Sequence, residues 1–75
     1  MPVDPMAARL VKSLTPRESE ALRAAVRGLD NPRVADELVI SPLTAKTHIN
    51  RAMVKLGVSD RTALVSLAYH AGVRP

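Results

Sequence analysis

Three times after residue 13 a residue that caps helices is followed at once by proline: Thr15-Pro16, Asn31-Pro32 and Ser41-Pro42. Each pair fixes where a helix can begin. Ser, Thr and Asn side chains accept hydrogen bonds from the N–H groups that a first turn leaves unpaired, and proline loses nothing at the first helical position. Glu18, three residues after Thr15, completes a capping box. Asp60 is a fourth start signal, and Gly28, Gly57 and Gly72 are stops. The predicted helices therefore run over about 16–28, 32–38, 42–56 and 61–71, joined by very short connections. With no strand signal between them, the chain is expected to be all-α, a four-helix bundle.

Seventy-five residues suffice for one small domain and a modest core. Phe and Trp are absent and Tyr occurs once, so that core must be aliphatic. The lack of cysteine excludes disulfides and cysteine-ligated metal. His48 and His70 have no triad or metal spacing to acids, so neither catalysis nor a metal or cofactor is expected. Eleven Lys and Arg against seven Asp and Glu leave a net charge of +4, which suggests an anionic partner, nucleic acid ahead of a membrane surface. No apolar run approaches the ~20 residues of a membrane span. The opening "MPVDPMAARLVKS" lacks the apolar centre of a signal peptide. Residues 1–13 read as a linker or flexible tail, with a short helical piece around 6–11, before a domain over 14–75 in a cytoplasmic protein.

The stretch "SPLTAKTHINRAMVKLG" (41–57) carries the functional signal. At 100° per residue, Ala45, Ile49, Ala52, Met53 and Leu56 form a core-facing stripe. The opposite side holds Leu43, Thr47, Asn50, Arg51 and Val54, with Lys46 at one edge of the stripe and His48 and Lys55 at the other. A merely solvated face would carry paired opposite charges, and this helix has no acidic residue. Its hydroxyl, amide, guanidinium and ammonium groups suit phosphates and base edges. Asn50 is a poor helix former whose amide can pair with adenine, Thr47 offers a hydroxyl and a methyl to a base, and Leu43 either touches a thymine methyl or packs on the turn. Arg51, Lys55 and Arg61 suit phosphates, which need charge more than fine geometry. His48, at the stripe's edge, reads as a packed or hydrogen-bonded histidine rather than a ligand.

A short helix, the three residues "VIS" and a longer polar-faced helix make a helix-turn-helix. The anchors "LTPRE" (14–18), "GLDNPRVADEL" (28–38), "ISPLTAKTHI" (40–49), "KLGV" (55–58) and "DRTALV" (60–65) stand in order along it. With these anchors the chain resembles the LuxR-type helix-turn-helix domain of NarL/FixJ-family response regulators, GerE-like. The resemblance implies a four-helix effector domain of a bacterial transcriptional regulator that binds double-stranded promoter DNA as a homodimer. It places the third helix in the major groove and the dimer contact on the fourth. Carried over, the base contacts fall to Leu43, Lys46, Thr47 and Asn50, and the phosphate contacts to Thr44, Arg51, Lys55 and Arg61. RNA polymerase is a further candidate partner, and no small-molecule ligand is implied. Two departures stand out: Pro32-Arg33-Val34 where Lys-Glu-Ile is frequent, and Ala45 where valine often precedes the key lysine. A receiver domain precedes such a segment in most members. The chain thus reads as an excised effector domain or a stand-alone regulator.

Apolar residues of the fourth helix, Ala63, Leu64, Val65, Leu67, Ala68, Tyr69 and Ala71, cover roughly two-thirds of its circumference, more than one core stripe needs. The surplus around Thr62, Val65, Ser66 and Tyr69 is expected to pair two copies; the alternative is that residues 1–13 cover it. Two rival readings remain. The carboxy-terminal helix-turn-helix of sigma factors shares the helical pattern without a self-pairing helix. A helical module whose basic face meets an acidic protein is the other.

Overall fold

A further cap–proline pair, Asp4-Pro5, opens a helix that the sequence reading places inside a tail. In the computed structural model, which describes residues 3–74, five helices follow one another: α1 (Pro5–Lys12), α2 (Pro16–Val26), α3 (Asn31–Leu38), α4 (Pro42–Leu56) and α5 (Arg61–His70). There is no strand among the described residues. The all-α architecture and the helix-turn-helix, α3 with α4, are as expected, and the helix count is five rather than four. Asp4 caps α1 by accepting from the N–H groups of Met6 and Ala7. The segment is also held by contacts distant in sequence. Its Asp4 N–H donates to the His70 carbonyl at 2.8 Å, Ala7 is buried, and Leu10 and Val11 pack against the core.

The remaining starts follow the same chemistry. Thr15 and Glu18 exchange side chain-to-backbone bonds of 3.2 and 3.0 Å, the reciprocal capping box. Ser41 caps α4 and Asp60 caps α5. At α3 the cap is Asp30, which accepts from Arg33 N–H at 3.1 Å; Asn31, expected in that role, is the first helical residue. Its side chain is thereby released for another partner. Two helices stop earlier than their glycines suggest: α2 at Val26 and α5 at His70, each followed by a turn. Gly57 ends α4 in the left-handed conformation, φ +69°, where a residue without Cβ is unstrained. Val39 ends α3 in the same conformation, φ +57°, the only such non-glycine residue described.

The core is thin and made of small residues. Eight of its fourteen buried apolar residues are alanine, so helices approach closely around Leu22, Val34 and Leu64, which are fully buried. α4 crosses the middle, packing on α3 and α2 through Ala45, Ile49, Ala52 and Leu56, while α5 packs on α2 through Leu64 and Ala68. Val26, Leu29 and Met53, expected inside, are half-buried at its margin, and Ala24 joins the buried set. This packing decides which side of α4 is left over.

Candidate nucleic-acid interface

With Ala45, Ile49, Ala52 and Leu56 all buried, the opposite side of α4 is turned to solvent. Leu43 is 73% exposed there and Val54 80%. Lys46, Asn50 and Arg51 are exposed, and among the described residues their side chains meet no hydrogen-bond or ion-pair partner. Thr47 is half-buried and its hydroxyl donates to the Leu43 carbonyl at 3.0 Å. Thr44 belongs to the cap: its N–H donates to Ser41 Oγ at 3.1 Å and its hydroxyl accepts from the same oxygen at 2.9 Å. The four residues expected to meet bases, Leu43, Lys46, Thr47 and Asn50, thus share one strip, and Arg51 lies beside them.

Two of the expected phosphate-binding cations are instead engaged inside the domain. Lys55 Nζ donates to Glu18 Oε1 at 2.7 Å, tying the end of α4 to the start of α2. Glu18 is buried. Its carboxyl is held below the usual value of 4.5, first by the hydrogen bond from Lys55 and then by the one from Thr15 N–H, against the opposing effect of burial. Arg61 donates to Asn31 Oδ1 at 2.8 Å and to the Leu29 carbonyl, tying α5 to the start of α3. The sequence carries no local signal for either tie, because the partners lie 37 and 30 residues apart. Among the described residues, the unpaired positive charge on the outward side of α4 is therefore that of Lys46 and Arg51. His48 is half-buried, and its buried Nδ1 has no hydrogen-bond partner among the described residues.

Helix α5 divides its surface three ways. Leu64 and Ala68 face the core. Ala63, Ser66, Leu67 and His70 line a groove with Asp4, Met6, Ala7 and Leu10 of the α1 segment, so Ser66, expected at the dimer contact, faces α1 instead. Thr62, Val65 and Tyr69 look elsewhere: Thr62 is exposed, Val65 half-buried and Tyr69 62% exposed. The α1 segment thus lies against part of the apolar surplus and leaves Tyr69 open. Among the described residues no helix is long and apolar enough to cross a membrane.

Residues 12–68 match the family model described as GerE, bacterial regulatory proteins of the luxR family. Among similar proteins is a probable transcriptional regulatory protein NarL of Mycobacterium tuberculosis, 45% identical over 62 residues, which are 83% of this chain and 29% of that protein. The transcriptional regulatory protein LiaR of Bacillus subtilis is 43% identical over 58 residues, 77% of this chain and 28% of LiaR. YxjL of the same organism, an uncharacterized transcriptional regulatory protein, is 37% identical over 67 residues, 89% of this chain and 31% of YxjL. The chain spans less than a third of the length of each of these relatives.

Proposed function

Because the chain belongs to the luxR family of bacterial regulatory proteins, we propose that it binds double-stranded promoter DNA as the effector domain of a cytoplasmic transcriptional regulator, in a two-component system of the NarL type. One observation carries the reading: the outward side of α4 is an acid-free strip on which Lys46, Asn50 and Arg51 meet no partner among the described residues. A helix-turn-helix presents its second helix to the major groove while the first crosses the backbone. In this placement Lys46 and Asn50 meet base edges, Thr47 and Leu43 offer methyl contacts, and Arg51 meets phosphate. Thr44, Lys55 and Arg61 stand where the backbone passes. Lys55 and Arg61 serve mainly to hold α4 and α5 against their neighbours, and touch phosphate only in addition to those bonds.

Two copies pair through Thr62, Val65 and Tyr69, so that two α4 helices read two half-sites in one duplex. Support comes from Tyr69, which is 62% exposed, with the half-buried Val65 one turn before it.

The test is fluorescence anisotropy with a labelled random-sequence duplex at low and moderate salt. Binding in the micromolar range that weakens steeply with salt is expected. Absence of binding at low salt overturns the reading and leaves an acidic protein as the partner. For the pairing, Val65→Asp with Tyr69→Asp is expected to leave the fold intact and abolish cooperative binding to paired half-sites. Unaltered self-association of that variant in sedimentation would move the interface elsewhere.

A further inference from the structure

The outward strip of α4 begins and ends on aliphatic side chains. At 100° per residue, Val54 lies opposite Ala45, which is fully buried, and in line with Leu43, Thr47 and Asn50. Its side chain, 80% exposed, touches no part of the core. Valine is a costly choice for an open helical position, since its branched Cβ loses rotamer freedom and its methyl groups are left in water. A single exposed valine needs no explanation on an ordinary surface. This one is set among groups that are otherwise all hydrogen-bonding, in a shallow depression lined by Thr47, Asn50, Arg51 and Lys55.

The occupant of that depression follows from charge and chemistry. Among the described residues no acid pairs with Lys46 or Arg51 on the strip, so a polyanion can approach closely. Val54 itself can neither pair with a phosphate nor hydrogen-bond to a base edge. The apolar group that a base pair displays in the major groove is the 5-methyl of thymine. We infer that Val54 is a specificity-determining residue of the DNA-binding strip, taking the 5-methyl group of a thymine at the far end of the site from the base met by Leu43. The two side chains are eleven residues apart, about 16 Å along the axis at 1.5 Å per residue. Neighbouring bases on a strand are about 3.4 Å apart, so two different bases are involved. The inference rests on the DNA-binding reading above and adds a contact to it.

The test uses a duplex selected from a random pool by the wild-type chain, and the same duplex with each thymine replaced in turn by deoxyuridine, which lacks only the methyl. One replacement is expected to weaken wild-type binding about fourfold, the effect of roughly one buried methyl group. Val54→Ala is expected to bind the parent duplex more weakly and to be indifferent to that one replacement, while keeping the response at every other thymine. Val54→Ser, which removes both methyl groups and leaves only a small hydroxyl, is expected to show the same indifference. Circular dichroism checks that both variants stay helical. A wild-type chain that selects a duplex, with Val54→Ala retaining the full deoxyuridine profile, overturns this inference alone. Failure of the wild-type chain to bind any duplex in a salt-sensitive way overturns the DNA reading together with it.

Discussion

The two sides of α4 are built from the same fifteen residues and answer to different forces. Inward, Ala45, Ile49, Ala52 and Leu56 are small or aliphatic, buried, and chosen by the close approach of α2 and α3. Outward, Leu43, Lys46, Asn50, Arg51 and Val54 touch little of the protein, and nothing in the fold selects them. Lys55, on the boundary, sides with the interior because Glu18 claims its ammonium group. The comparison teaches that charge on a recognition helix is not one quantity. A cation with an internal partner maintains the helix's position, and a cation without one is available to a ligand.

The largest effect expected from breaking the inner side is on stability. Ile49→Ala should cost about 2–4 kcal/mol, a large share of what a domain this small has, with DNA affinity of the folded fraction unchanged. A urea midpoint that hardly moves would mean that this side is not the packed one. Next comes Lys46→Ala on the outer side. It should lower affinity for a selected duplex by about tenfold or more, corresponding to the 1–3 kcal/mol of a base-reading side chain, and leave the melting temperature nearly unchanged.

Lys55→Ala sharpens the boundary. It leaves the Glu18 carboxylate buried without its counter-charge, and should cost about 1–2 kcal/mol of stability, less than a fully enclosed pair because the Lys55 side chain is 37% exposed. A loss of DNA affinity with unchanged stability would transfer Lys55 to the outer side. The same pair predicts a pH dependence. Folding holds the Glu18 pKa below 4.5, so the pair's contribution is fully present above that value and fades as pH falls through the folded pKa. Glu18→Gln, which can still cap, should flatten this acid limb and leave stability between pH 5 and pH 7 without a slope from this group. The smallest effect concerns Val39, strained by its left-handed backbone and 89% exposed. Val39→Asn should raise stability by about 0.5–1 kcal/mol, read as a higher melting temperature.

Much of this was legible in the order of residues, and the exceptions share a cause. Cap–proline pairs marked the starts of α2, α3 and α4 because capping is a contact over three residues. The 3.6-residue period separated the two sides of α4 for the same reason. Asp4-Pro5 carries the same signature, but two prolines near the beginning read as a tail. What makes α1 part of the domain is its hydrogen bond to His70 and the burial of Ala7, contacts that join opposite ends of the chain. Asp30 and Asn31 are both good caps, and local sequence does not choose between them; Asn31 is used instead by Arg61. The internal partners of Lys55 and Arg61 are likewise tertiary, so both cations looked as available as Arg51. Val54 was visible as an outward residue, yet only its exposure beside unpaired donors gave it a use.

The most direct test of the central claim is a salt titration of duplex binding by the wild-type chain and by the double variant Lys46→Ala, Arg51→Ala, followed as the slope of log affinity against log salt. Each phosphate contact removed should reduce the slope by about 0.9. The account predicts a slope shallower by roughly one, from Arg51, together with a loss of affinity that persists at high salt, from the base contact of Lys46. An unchanged slope and unchanged affinity in a folded double variant would contradict it, and place the DNA, or the partner, on another face of the domain.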